Sequence, residues 1–548
     1  MSVRNAIALS LALSTLALLA GCGSGSSSPP AQAPPSGSFS NSNLTGTYVF
    51  SISGVDQADG IPVQIVGTVI ANGSGGITGG TIDVVDVASP TSFVATNLSV
   101  SGNGTYSVGV DGRGTATITT TTPNPFARAL TFDFVLQNSS HGLITEFDTN
   151  ASGSGTLDLQ GTATLSGTYA FSLSGTDGSE NLNPMATVGA FTVGNGGSIT
   201  GVEDFNDNNF AYPNQALSGS IILGPSSTPS TTFATESFPL LTFDVYAIDS
   251  THLKFIETDG VEFLSGDAYS QTTATVATGS LAFTLAGDFE SQGPTAVGGF
   301  MVTDGAGNIT NASTEDINEA GNTSSSPVPF TASYSSSGSG RFTLTNFSGF
   351  VGAVTDGAGY AAYPSSGGLL LLEIDDAGIM VGAAYTPGIV ASFAPPQGFA
   401  LNFTGVNLSA SESLGQAVEV DDIAEFATAT GLTFTGQVDE NSAPDGGPTR
   451  RQVFDGTFTA PDPNGRGTLG TTTINGTLVG EVGLSFYSVD GITFPFIEDD
   501  TNGQVSTGVM VVQDATDPTP AVAARTHMYV PHSIVRARST RSLHRKQK

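Results

Sequence analysis

One short segment occurs four times in this 548-residue chain, and the distance between its copies limits what the chain can fold into. The copies read GTYVFSISG (46–54), GTYAFSLSG (167–175), GSLAFTLAG (279–287) and QGFALNFTG (397–405). Their closing glycines Gly54, Gly175, Gly287 and Gly405 stand 121, 112 and 118 residues apart. Solenoid units recur every 20 to 50 residues or so. Each period here is therefore long enough to be a small domain of its own.

Further blocks recur in the same order within each period. An apolar strand with a glycine turn appears as TVIANGSGGITGG (68–80), FTVGNGGSITG (191–201) and FMVTDGAGNIT (300–310). Asn72-Gly73, Asn195-Gly196 and Asp304-Gly305 are hairpin signals, because these residue types tolerate the positive φ of tight turns. The fourth copy, VEVDDIAEFATATGLTFTG (418–436), lacks that turn and is expected to carry a longer loop. Gly-Arg occupies a later turn at DGRGT (111–115), GSGRF (338–342) and NGRGT (464–468), and the second period has none. The most regular block ends an apolar strand in Glu-x-Asp: Glu146/Asp148, Glu257/Asp259, Glu373/Asp375 and Glu498/Asp500.

Alternation of period two, as in TFDFVLQ and TYVFSIS, marks half-buried strands. The first period divides into eight: 46–54, 61–71, 77–86, 104–109, 114–121, 129–138, 141–149 and 153–160. No helical stripe follows Cys22. The expected fold is all-β, with four tandem antiparallel β-domains of about eight strands, each an up-and-down barrel. A β-sandwich is the alternative, since pattern cannot show which strands turn a corner. The repeats are assigned to 44–164, 165–276, 277–395 and 396–514, with a basic tail at 515–548.

The chemistry is sparse. After residue 22 there is no cysteine, and only His141 and His252 lie in the repeats, so thiol and zinc chemistry lack their groups. On a strand the two acids of Glu-x-Asp share one face about 6.5 to 7 Å apart, a spacing that suits a carboxylate pair for glycoside hydrolysis or a calcium site. Fourfold recurrence favours a structural role, with the acids at the wet rim of each domain. Glu146, Asp148, Glu257, Asp259, Glu373, Asp375, Glu498 and Asp500 remain calcium candidates, and no other cofactor is expected. A second acidic cluster holds Asp204, Asn206 and Asp207, then Glu315, Asp316 and Asn318, then Asp439, Glu440 and Asn441, with Asp83 and Asp86 in the first repeat. These read as turn-formers.

The N-terminus carries an address. Arg4 precedes the apolar run Ala6 to Ala20, too short to span a bilayer comfortably and right for an export signal. Leu19-Ala20-Gly21-Cys22 resembles the lipobox of bacterial lipoprotein precursors. That resemblance implies a signal peptide over 1–21, acylation of Cys22 after cleavage, and a membrane partner. Gly23, where such proteins often carry Asp for inner-membrane retention, leans towards the outer membrane. The Ser/Gly/Pro-rich stretch 22–43 then reads as a tether. The motifs GTYAFSLSG and IETD also resemble tandem β-repeat surface lipoproteins of soil bacteria such as Acidobacteria, a likeness that implies a setting and no activity.

Charge completes the reading. The formal net charge is −33, and all 48 acids share 56–517 with only seven bases, whereas Arg525, Arg536, Arg538, Arg541, Arg545, Lys546 and Lys548 crowd the tail. Such a body repels phosphate backbones, so nucleic acid is not an expected partner. The tail suits an anionic surface. The expected protein is an envelope-anchored, non-enzymatic spacer, adhesin or binding module, with envelope polysaccharide or protein as partner. An envelope glycoside hydrolase and a small-ligand carrier are the alternatives.

Overall fold

The computed structural model describes residues 38–516 apart from 57–60, 87–92, 122–128, 180–181, 223–229, 236–240, 272–274, 290–292, 325, 350–358, 377, 387–395, 409–417, 443–447 and 502. The signal segment, Cys22, most of the tether and nearly all of the basic tail lie outside the described residues.

The described chain is almost entirely strand, and it closes into four barrels. Barrel 1 runs from β1 (Thr45–Asp56) to β9 (Ala151–Leu159), barrel 2 from β10 (Gly167–Thr176) to β17 (Phe263–Ser270), barrel 3 from β18 (Gly279–Phe289) to β26 (Gly378–Tyr385), and barrel 4 from β27 (Gly398–Asn407) to β34 (Gln504–Val512). In each, the first strand pairs antiparallel with the last. The sandwich alternative is thereby set aside. Barrels 1 and 3 keep eight positions with local variations. The fourth position of barrel 1 is broken into β4 (Phe93–Ser99) and β5 (Gly104–Val108), and barrel 3 adds the two-residue β21 (Asn322–Thr323).

The recurring glycine of the opening strand has a steric cause. A Cβ at Gly54 would sit 1.9 Å from the Ser152 carbonyl oxygen, at Gly175 1.8 Å from that of Phe263, at Gly287 1.8 Å from that of Ile379, and at Gly405 2.2 Å from that of Val505. Each contact is to the closing strand of the same barrel, so only glycine lets the first strand lie against the last. The hairpin glycines Gly73, Gly196 and Gly305 all adopt φ between 73° and 74°, as their turns require. The fourth repeat differs from expectation. Instead of a longer loop it has a tight turn, with Gly431 and Leu432 at φ 92° and 59°.

Side chains fill the interiors, as eight-stranded barrels permit. Barrel 2 is packed with Tyr169, Phe171, Phe191, Phe205 and Phe255, and barrel 4 with Phe399, Phe426, Phe434, Phe486 and Phe496. Barrel 1 retains a cavity of about 30 Å³ among Tyr48, Phe50, Phe132 and Phe134, space for little more than one water.

The barrels are not strung out as a linear spacer would be. Barrel 1 packs on barrel 2 through Val49, Val66 and Val85 against Tyr246, Ile256 and Phe263. Barrel 2 meets barrel 3 through Val188 and Val202 against Tyr363 and Leu372. Barrel 3 meets barrel 4 through Ala296 against Ile497 and Val505. Barrel 4 returns to barrel 1 through Ala400, Ile423 and Val511 against Val135 and Leu143, which closes a ring.

Candidate functional site

One polar pattern recurs at the seams, complete at two of them and altered at the other two, and its origin lies in the third strand of each barrel. These strands are β3 (Gly76–Asp86), β12 (Ser198–Asp207), β20 (Asn308–Glu319) and β29 (Thr433–Ser442). Alternation turns Phe205 and Ile317 into the interiors and sends Asp204, Asn206, Asp316 and Asn318 outward. The second acidic cluster is therefore not made of turn-formers. It belongs to strands, and Asp204, Asn206, Asp316, Asn318 and Asn441 bond to the next barrel.

Asn206 donates to the carbonyls of Glu373 (3.1 Å) and Gly378 (2.8 Å), Asn318 to those of Glu498 (3.0 Å) and Gln504 (2.8 Å), and Asn441 to those of Glu146 (2.8 Å) and Ala151 (3.0 Å). Each pair of carbonyls flanks a Glu-x-Asp turn. In barrel 1 the equivalent position is Val85, and that seam is apolar there. The aspartate two residues earlier takes the arginine of the next barrel's Gly-Arg turn. Arg341 Nε and Nη2 donate to Asp204 (2.7 and 2.5 Å), and Arg466 Nε and Nη2 to Asp316 (2.7 and 2.8 Å). Tyr363 and Tyr487 donate their hydroxyls to the same two aspartates. The recurrence of Gly-Arg was visible in the sequence, but its partner lies 137 or 150 residues away.

Two seams depart from the pattern. Barrel 2 has no Gly-Arg turn, so across the seam Asp83 meets the Tyr246 hydroxyl (2.5 Å) and the neighbouring Asp244 in place of an arginine, and within its own barrel it accepts from the Asn97 backbone N–H (2.5 Å). Burial, with the Asp244 charge adding to it, pushes Asp83 up to about 7 despite the Tyr246 bond. The same pair of barrels holds the two histidines. His141 Nδ1 lies 2.7 Å from Asp158, His252 Nε2 lies 2.7 Å from Asp267, and Lys254 donates to Asp267 at 3.0 Å. Burial alone would raise Asp158, yet His141, and beyond it Lys254 and His252, hold it well below the usual carboxylate range.

The closing seam departs further. Arg113 is drawn onto Asp111 (2.9 Å) and stays 4.0 Å from Asp439, so the lock seen at Asp204 and Asp316 is open. Arg450, in β30 (Thr449–Phe458), crosses instead to Asp133 (2.6 and 2.7 Å) and stacks 4.5 Å over Phe147. A cleft of about 380 Å³ opens here, lined by Ser107, Asp111, Arg113, Asp439, Arg450 and Arg451 among others. Three of the seven bases of the acidic body line it. Nothing in the sequence singled out Arg450 or Arg451.

The Glu-x-Asp residues are placed otherwise than at a wet rim. Glu146, Glu257, Glu373 and Glu498 are 0–1% exposed, because alternation sets them in the interior rows of Ile144, Phe255, Leu371 and Phe496. Burial pushes Glu257 up to about 10, with Asp259 adding to it, and raises Glu373 well above its ordinary value in the same way beside Asp375. Their partners are more open and cap backbone. Asp148 accepts from Asn150 and Ala151, Asp259 from Thr242 and Val261, and Asp500 from Gly483. Among the described residues, no group of three or more His, Cys, Asp or Glu is arranged to hold a metal ion.

No protein-family model matches the sequence, and no curated protein sequence matches it. Among solved structures the chain is similar to transferrin binding protein B from serogroup B Neisseria meningitidis, at 11% identity over 68% of this chain and 84% of that one, with a TM-score of 0.18. A double mutant of transferrin binding protein B from Haemophilus parasuis Hp5 gives 10% identity, 70% and 82% coverage, and a TM-score of 0.18. At such scores the folds do not superpose as wholes, and nothing about this chain's ligands follows from them.

Proposed function

We propose that the protein is a lipid-anchored, non-enzymatic binding module of the cell envelope, held to the outer membrane or cell surface through acylated Cys22. The observation that carries the reading is where the folded chain begins and ends. Phe39 and Leu44 are 2% and 4% exposed in the end of barrel 1, and Asn43 Nδ2 donates to the Ala515 carbonyl (3.3 Å). The first and last described stretches of the chain thus lie together at barrel 1. Acyl chains on Cys22 and the bases of the tail suit one anionic surface, and two such signals hold far better than one.

Two observations favour binding over the alternatives. A glutamate 0–1% exposed cannot reach a polysaccharide, which disfavours a hydrolase built on Glu-x-Asp. Among the described residues, phenylalanine and tyrosine pack the interiors of barrels 2 and 4 and barrel 1 keeps a cavity of about 30 Å³, which disfavours a carrier that uses the barrel interiors. The acidic body keeps nucleic acid away, and envelope polysaccharide or protein remains the expected partner class.

The test is metabolic labelling with a palmitate analogue. The wild-type chain is expected to carry label and sediment with membranes, and Cys22→Ser to lose label and appear in the soluble fraction. Unlabelled wild-type chain would end the anchoring half of the proposal.

A further inference from the structure

We propose that the cleft between barrels 4 and 1 is a binding site for a small organic oxyanion, a carboxylate- or phosphate-bearing molecule of about sugar size, with Arg451 engaging the anion. The site does not depend on the lipid anchor.

The other seams serve as internal controls. At Asp204 and Asp316 the cross-barrel arginine closes the gap with two bonds. At Asp439 the corresponding Arg113 is held 4.0 Å away, and two further arginines arrive from β30. The space that results, about 380 Å³, falls in the range of small-molecule pockets.

Backbone geometry supplies the second observation. In each of three repeats the third-strand aspartate accepts a bond from the backbone N–H of a residue at positive φ. Those residues are Asn97 (φ 56°) on Asp83, Asn214 (φ 56°) on Asp204 and Arg451 (φ 59°) on Asp439. Asparagine suits this left-handed position, and arginine does not. An arginine kept where its counterparts are asparagine is explained by its side chain, and strain of this kind gathers at ligand sites.

The charges agree. Asp111 is occupied by Arg113, Asp133 by Arg450, and Asp439 by the Arg451 backbone. Among the described residues, Arg113, Lys254, Arg341, Arg450 and Arg466 each have a carboxylate within 4.0 Å, and Arg451 has none. Arg451 is exposed and lines the cleft, and a guanidinium not bound to a carboxylate presents the planar fork that takes a carboxylate or phosphate through two parallel bonds. The hydroxyls of Ser107 and Thr115, bonded to each other at 3.1 Å, offer polar partners for a hydroxylated body.

The test is calorimetric titration of the purified full-length chain at low salt with galacturonate, glucose 1-phosphate and neutral glucose. At least one anion is expected to bind one to one, more weakly as salt is added, while glucose gives no heat. Which anion binds tells carboxylate from phosphate. Arg451→Asn, which installs the residue that two other repeats use here, is expected to weaken binding about tenfold or more with no loss of melting temperature, and Arg451→Lys to weaken it less. Absence of binding by both anions, or equal binding by Arg451→Asn, overturns the proposal.

Discussion

A Cβ placed on Gly175 would lie 1.8 Å from a backbone oxygen that belongs to the barrel's own closing strand. Neither partner can move without opening the β10–β17 ladder, in which Gly175 faces Leu264. Gly175→Ala is therefore expected to destabilise barrel 2 by about 1 to 3 kcal/mol, the usual cost of overpacking, read as a drop in denaturation midpoint. The same reasoning covers Gly54, Gly287 and Gly405. This feature was fully legible as a fourfold repeat, yet its cause was not, because the atom that forbids a side chain sits about ninety residues or more along the chain.

At the scale of the elements, the seams separate pattern from strength. Arg341 is 6% exposed at its side chain and its partner Asp204 is fully buried, so Arg341→Met leaves an uncompensated buried carboxylate. Losses of that kind run to about 3 to 5 kcal/mol. Arg113 occupies the same place in its own barrel but touches Asp439 only at 4.0 Å, and Arg113→Met is expected to cost far less, about 1 kcal/mol or below. Comparing the two by chemical denaturation checks whether the closing seam is as loose as its geometry says. Equal losses would show that Arg113 does hold the ring shut.

At the scale of the whole molecule, the buried acids set how stability responds to pH. Asp83 is pushed up to about 7, Glu203 to about 8 and Glu257 to about 10, in each case chiefly by burial. Such groups keep a proton in the folded chain that the unfolded chain has already released. Their contribution is therefore full below the ordinary carboxylate range and is lost as pH rises towards the raised values. Asp158 runs the other way, but its contribution is lost only in strong acid. Melting temperature is expected to fall between pH 5 and pH 8. Asp244→Asn removes the like charge beside Asp83 and should flatten that slope while raising stability at pH 8. A chain whose melting temperature rises over the same interval would contradict the burial of these carboxyls.

Sequence by itself determined that there are four units, that each is a run of antiparallel strands, and where the tight glycine turns of the first three repeats fall. Those properties rest on local φ preferences and on period-two alternation, which act within a few residues. Gly-Arg, Asp-x-Asn and Glu-x-Asp were equally visible as recurrences, but their meaning was not. The partner of Arg341 is Asp204, that of Arg466 is Asp316, and Asn441 reaches Glu146 across nearly three hundred residues. Only the tertiary structure decided that the barrels close into a ring, that the glutamates face inward, and that one seam opens beside Arg451. The physical reason is that a seam is a contact between outer faces of separate barrels. Alternation says which residues face outward, and only packing says what they meet.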